Sequence, residues 1–387
     1  MTAIYLDHAA TTPVDPRVVE VLLRYLTREG LYANPASGHG PGRAAARAVE
    51  RAREQVAGLL NADPRSIVFT SGATESNNLA LLGAARASRR KRHIITARSE
   101  HKAVLDPCRV LEGEGFEVTY LSPDPDGRVP VERLESALTS ETLLVSLMLV
   151  NNETGVVQDI PALGRLTRAH GVLFHVDAAQ GAGKLPIDLA DWPVDLLSLS
   201  AHKFYGPKGI GALYVGRRPR VPLTPQLHGG GHERGLRSGT LPVHQIAALG
   251  AACELAAGEL PGESRHLEML RARLWQGLTQ LPGVVFNGNP DLRVPGILNL
   301  SFIGIHQAAL LAELEDQLLL SSGSACSAFD PAPSHVLTAM GRDASTARAA
   351  LRFSPGRFTT GEEIDRAVVR VREAVARLRA LSPVRVA

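Results

Sequence analysis

Lysine is scarce in this sequence of 387 residues: only five of its 42 basic residues are lysine, at positions 91, 102, 184, 203 and 208. A chain that uses arginine wherever a positive charge suffices keeps lysine for what a guanidinium cannot do, above all losing a proton to act as a nucleophile. Each of the five merits weighing. Cysteine is rarer still, at 108, 253 and 326, with no CxxC pair and no zinc-ligand spacing, which argues against a disulfide framework or a structural metal site. No apolar run reaches the roughly 18 residues of a membrane span, and residues 1–30 show no basic segment leading into an apolar one. The expectation is a cytoplasmic protein with no membrane partner. A net charge of +3 gives no reason to expect direct nucleic-acid binding. The single basic cluster, Arg89-Arg90-Lys91-Arg92, reads as the solvated end of a helix.

What is present is an alternation of short apolar runs with helical periodicities from Thr12 to about Leu260. Gly42 to Leu60 carries apolar positions at 45, 49, 52, 56 and 59, one face of a helix. Runs at 67–70, 94–96, 143–150, 172–176, 196–199 and 212–215 read as strands, several of them apolar throughout, as in a sheet covered by helices on both faces. The expected fold class is α/β with a mostly parallel sheet. After Leu260-Pro261-Gly262 the pattern changes to a long helix (263–281), strands near 297–302, 317–321 and 350–354, and a closing helix at 362–381. That order predicts a smaller α+β domain. The expected division is a large domain at 15–261 and a small one at 1–14 and 262–387, which carries a cysteine loop at about 321–334.

Three strand ends carry candidate chemistry. Ser71-Gly72-Ala73-Thr74-Glu75 follows the 67–70 strand and precedes a helix expected from Ser76 to Ala87, a place that is either an ordinary N-cap or a site for phosphate. Asp177 ends the 172–176 strand, where a carboxylate needs a cationic or hydrogen-bonding partner. Lys203 follows the 196–199 strand, where a half-buried amine loses its proton more easily and can condense with a carbonyl. The turn from Gly206 to Gly211 does not complete a dinucleotide fingerprint, since Tyr214 stands where the third glycine belongs. Cys108 and Cys253 fall in helical stretches and read as buried apolar residues. Cys326 differs, lying in Ser321-Ser322-Gly323-Ser324-Ala325-Cys326-Ser327, a polar loop with little to pack, and is a candidate nucleophile. Phosphate cradle, strand-end acid and strand-end lysine together are what pyridoxal phosphate (PLP) requires.

With those residues in view, the whole chain resembles the NifS/IscS group of cysteine desulfurases, in the class V aminotransferase superfamily of fold-type I. The resemblance runs from Tyr5–Pro13 to Leu351-Arg352-Phe353-Ser354, through segments 70–77, 100–102, 150–155, 175–180, 202–203, 229–242 and 321–327. It implies a homodimer in which Lys203 holds PLP covalently and moves the substrate α-proton, with Asp177 at the pyridine nitrogen. It further implies that His101 stacks on the ring and Gln180 donates to its phenolic oxygen. Ala73, Thr74, Ser200 and His202 would receive the phosphate, joined by Thr240 of a second subunit. Asn152 and Arg352 match the groups that hold the substrate carboxylate.

By the same resemblance L-cysteine is converted to L-alanine while its sulfur passes to Cys326 as a persulfide. His101 is then the candidate cation that favours the Cys326 thiolate. The sulfur would go on to an acceptor protein, such as an iron–sulfur scaffold or a tRNA-thiolation enzyme, and Cys326 could transiently ligate a nascent cluster. No resident metal is expected. The ending at Leu381–Ala387 is expected to fall short of the tail that housekeeping members use to dock a scaffold. Two other readings stay open: a selenocysteine lyase or other class V PLP enzyme, which needs no loop thiol, and a non-catalytic sulfur-relay or assembly protein.

Overall fold

The computed structural model of the chain describes residues 3–217, 220–322 and 332–381. Its strands are β1 (Ile4–Tyr5), β2 (Ile67–Thr70), β3 (His93–Ala97), β4 (Glu117–Leu121), β5 (Thr142–Met148), β6 (Leu173–Asp177), β7 (Leu196–Ser200), β8 (Gly211–Val215), β9 (Val284–Phe286), β10 (Leu298–Phe302), β11 (Leu318–Leu319) and β12 (Ala350–Phe353). Seven of them form the central sheet in the order β2-β8-β7-β6-β5-β3-β4. The run from β7 to β4 is parallel, and β8 is antiparallel to both neighbours. Consequently β2, β6 and β7 all end at the same edge of the sheet. All six apolar runs expected as strands are strands.

Both faces of this sheet are dry. Phe69, Ile95 and Val145 face a core shared with α1 (Pro16–Leu23), α2 (Gly40–Leu60) and buried side chains of later helices, whereas Val68, Ile94 and Leu144 face α3 (Ala73–Ala87) and α4 (Lys102–Gly113). Full burial explains why these strands lack polar alternation. Helices α5 (Val131–Ala137), α6 (Ile160–Ala169) and α7 (Val243–Leu278) complete the first face. A separate core gathers Ile4, Leu6, Leu270, Leu300 and Phe353 with Ile364 and Val371 of the closing helix. It holds the three-stranded sheet β12-β10-β9 together with α8 (Gln307–Leu314) and, after α9 (His335–Ala339) and α10 (Ala344–Arg348), the closing α11 (Gly361–Leu381).

Three expectations need correction. The break read at Leu260-Pro261-Gly262 is no break: α7 runs 36 residues from Val243 to Leu278 with Pro261 inside it. Arg357 explains why, since it pairs with Glu259 at 3.1 Å and with Glu263 at 2.7 Å, holding the helix on both sides of the proline. Such pairing, with packing at both ends, offsets the lost backbone hydrogen bond. The edge strand β4 was not expected, because Glu117, Thr119 and Tyr120 dilute its apolar signal and only its pairing with β3 makes it a strand. Helix α3 begins at Ala73 rather than Ser76, which brings Thr74 into its first turn.

One buried ion pair ties the loop at residues 229–240 to the sheet. Both Arg53 Nη1 and Nη2 donate to the Glu233 carboxylate at 2.8 Å, and Phe69 N–H donates to it at 2.7 Å. Glu233 and Arg234 have φ of 47° and 58°, a left-handed conformation that the pair holds in place. Side-chain exposure is 5% for Arg53 and 1% for Glu233. Glu233→Ala would leave the guanidinium buried without its carboxylate, and we expect a loss of about 3–5 kcal/mol. Thermal denaturation measures it; a melting temperature unchanged from the parent would remove the pair from this role.

Candidate active site

The three strand ends converge. After Thr70 the chain turns through Gly72, whose φ of 144° and lack of a side chain leave the first turn of α3 without a side-chain cap. Backbone space is minimal here: a Cβ on Gly211 would stand 2.7 Å from Gly72 Cα, and one on Gly72 would stand 3.4 Å from Ser200 Oγ. The uncapped amide groups form a ready anion site.

Asp177 closes β6 and is nearly buried, with Oδ2 accepting from Asn77 Nδ2 at 2.8 Å and Oδ1 from Ala179 N–H at 2.9 Å. Two residues earlier, His175 is buried between Ser146 Oγ (2.8 Å) and Ser198 Oγ (3.0 Å), and burial lowers its pKa to about 4. Past Ser200 a single 3-10 turn, Ala201–Lys203, carries the lysine. Lys203 Nζ donates to the carbonyl oxygens of Ala9 and Ala10, each at 2.8 Å. Next to it, His202 Nδ1 meets Thr11 Oγ1 at 3.1 Å, and burial brings its pKa down to about 4.

His101 caps α4, its Nδ1 accepting from Ala103 N–H at 3.1 Å, so the ring proton sits on Nε2. Burial lowers its pKa and so opposes the charge expected of it, while the Asp177 carboxylate favours that charge. Arg352 comes from β12 of the other core, with Nη2 on Asp7 Oδ1 at 2.7 Å and Nη1 on the Asn152 carbonyl at 2.8 Å. Its own backbone N–H donates to the Ser321 carbonyl at 2.8 Å, where the chain enters the cysteine loop.

Ala73, Thr74, His101, Asn152, Asp177, Gln180, Ser200, His202, Lys203 and Arg352 all line one cavity of about 430 Å³. Thr240 is exposed and lines no part of it. Cys326 lies outside the described residues. Cys108 and Cys253 are buried, and burial raises both thiols, Cys108 to about 12. Sequence reasoning missed several participants. Asn77 and the Ala9-Ala10 carbonyls hold the two key side chains, and Lys184 donates to Gln180 Oε1 at 2.7 Å. Glu153, in the cavity wall, is kept protonated more readily by burial and accepts from Ser334 Oγ at 2.6 Å. Of these only Lys184 carried a signal, the scarcity of lysine itself.

The family described as aminotransferase class-V matches residues 4–367. Among curated relatives, cysteine desulfurase IscS of Photorhabdus laumondii is 56% identical over 382 residues, covering 98% of this chain and 94% of that protein. The protein of that name from Shewanella loihica is 55% identical with the same coverage. Among solved structures, a NifS-like protein superposes with a TM-score of 0.90 at 40% identity, over 97% of this chain and all of that one (100%). A structure described as SspA in complex with cysteine superposes at 0.81 with 39% identity, over 92% of this chain and 99% of that chain.

The buried histidines have a measurable consequence. With His175 lowered from 6.5 to about 4 in the folded state, the unfolded chain takes up the proton first as pH falls. The stability it contributes is complete above about pH 6.5 and is lost as pH falls towards 4, by up to about 3 kcal/mol. Denaturant titrations across that window should show the loss, and His175→Asn should flatten it. An unflattened slope in the variant would assign the effect to other groups.

Proposed function

The chain belongs to the aminotransferase class-V family and has the fold-type I architecture of its NifS-like neighbours, and from that premise we propose that it is a cysteine desulfurase with PLP held on Lys203. The observation that carries this reading is that Lys203, Asp177 and the uncapped first turn of α3 face one cavity. Its volume, about 430 Å³, suits a cofactor together with a small substrate. The donor set fits as well. The amide groups after Gly72, with Thr74, Ser200 and His202, offer neutral donors to a phosphate, and Ala73 lets it approach the backbone. Thr240, exposed on this chain, would reach the corresponding site of a second copy in a homodimer.

Bound there, PLP supplies an electron sink for negative charge at the substrate α-carbon. The protein's part is to place groups around it. Asp177, fixed by Asn77 and Ala179 N–H, presents a carboxylate to the pyridine nitrogen and keeps it protonated. His101 offers a flat ring, and Gln180 an amide donor. Arg352 and Asn152 receive the substrate carboxylate, with Asp7 fixing the guanidinium plane. Lys203 would hold the cofactor, and its free amine would move a proton at the substrate α-carbon.

Sulfur chemistry falls to Cys326. Its thiolate attacks the sulfur of L-cysteine; the sulfur–sulfur bond forms as the carbon–sulfur bond breaks, and the carbon skeleton takes up a proton and leaves as L-alanine. Cys326 is left as a persulfide. It lies only five positions past Ser321, which is hydrogen-bonded to Arg352 through the backbone, a tether of at most about 18 Å. The acceptor of that sulfur is an iron–sulfur scaffold or a tRNA-thiolation enzyme, and the setting is the cytoplasm.

Two experiments test the assignment. Cys326→Ser should keep the yellow colour and bind L-cysteine yet form no alanine in a single turnover, because a serine hydroxyl is too weakly ionised to replace the thiol. Alanine formation at the parent rate would mean a lyase that needs no protein persulfide. Asp177→Asn should retain PLP, reducible by borohydride onto Lys203, but lose about 100-fold or more in turnover, since an amide does not stabilise the pyridinium charge. Parental turnover in that variant, or label on Lys184 or Lys208, would overturn the site.

A further inference from the structure

Lys184 is a second amine close to Lys203 to which the reaction above gives no task. Its placement follows from two glycines. A Cβ on Gly181 would stand 2.4 Å from Leu149 Cδ2, and one on Gly183, at φ 73°, would stand 2.8 Å from Phe204 Cβ. The turn after Asp177 therefore packs directly on the residue that follows Lys203, and brings Lys184 behind it. Lys184 and Lys203 share the wall of a second, small cavity of about 30 Å³, with His8, Tyr205 and Glu263.

The contact that matters points the other way. Lys184 Nζ donates to Gln180 Oε1 at 2.7 Å, while Gln180 Nε2 donates to the Ala9 carbonyl at 2.7 Å. The Ala9 carbonyl can only accept, and Lys184 donates to the opposite edge, so the two contacts together fix which edge of the Gln180 amide carries oxygen. They leave the N–H edge, one hydrogen of which is taken by Ala9, on the side of the main cavity that Gln180 lines. Without Lys184 the Oε1 edge loses its donor, and the amide is held only through its bond to Ala9.

We propose that Lys184 is a positioning residue: by donating to Gln180 Oε1 it holds the Gln180 amide with its N–H edge toward the cofactor cavity. The inference rests on the reading of that cavity as a PLP site in which Gln180 faces the phenolic oxygen. Lys203 and Arg352 repel the Lys184 ammonium and Glu263 attracts it, while burial, the largest influence, brings its pKa to about 7. His8 and His202 in turn feel the Lys184 charge, and both have lowered pKa values.

The test uses holoenzyme purified with PLP and follows the pH dependence of its visible absorption. A donor to the phenolic oxygen stabilises the deprotonated form of the Lys203–cofactor linkage, so losing it moves the midpoint to higher pH. Lys184→Met and Gln180→Leu should each raise the midpoint by about one pH unit, the double variant should go no further than the larger single shift, and Lys184→Arg should stay near the parent. An unmoved midpoint in Lys184→Met, or shifts that add in the double variant, would overturn the proposal. Should the methionine variant not fold, Lys184→Ala is read in the same way. Absence of any visible band in the parent protein would instead sink the PLP reading, which keeps the two failures distinct.

Discussion

The carbonyl oxygens of Ala9 and Ala10 hold the site together. Both accept from Lys203, and that of Ala9 also accepts from Gln180. They belong to a strap, residues 4–15, that runs from one core to the other. Ile4 and Leu6 are buried in the second core, His8 Nδ1 and Ala9 N–H bond to Ser354, and at the far end Asp15 N–H donates to the Tyr205 carbonyl. Thr12 Oγ1 bonds the His202 carbonyl and accepts from Tyr205 N–H, so the strap is fastened on both sides of Lys203. Asp15 anchors its end through Arg17 and Arg357, and the hydrogen bonds from Arg17 above all bring its carboxyl down to about 2. The reactive amine is thus oriented by backbone that neither core could place alone.

Burial acts in one direction on the histidines around that amine. His101, His175 and His202 all have lowered pKa values, with burial as the leading cause. Neutral imidazoles donate hydrogen bonds to a phosphate or stack on a ring without adding charge beside Lys203, Lys184 and Arg352. Asp177, in the cavity wall, is held by two neutral donors rather than by a cation. Its charge is therefore left to act on what lies above it.

Much of this was legible in the sequence because the site stands at strand ends. Asp177 and Lys203 each follow an apolar run that is unambiguous as a buried strand, and Gly72 lies between a strand and a helix. What was not legible depends on contacts made across the fold. Pro261 reads as a stop until Arg357, 96 positions later in the chain, is seen to grip both sides of it. Asn77 is one of two adjacent asparagines in α3, and nothing local separates the one that meets Asp177 from Asn78, which bonds back to the Thr74 carbonyl. His101 is expected to carry charge because histidine at neutral pH can; burial, a property of the fold, acts against that charge.

The two ends of the cavity come from different cores. Lys203, Asp177 and the α3 terminus belong to the central sheet, whereas Arg352 belongs to β12 of the three-stranded sheet. Any slide between the cores would change the distance between the Arg352 guanidinium and the Lys203 amine, which in the proposed reaction both act on one small amino acid. Reactions of this kind lose rate steeply with small misplacements. Two features oppose the slide. The strap is bonded to Arg352 at Asp7 and to Lys203 at Ala9 and Ala10, only two and three residues apart. Helix α7 packs its first half in the core of the central sheet and its last turns, through Leu270 and Leu274, in the other. A break at Pro261 would have severed that second link, so the ion pairs of Arg357 that carry the helix through the proline also fix the span between the two ends of the site.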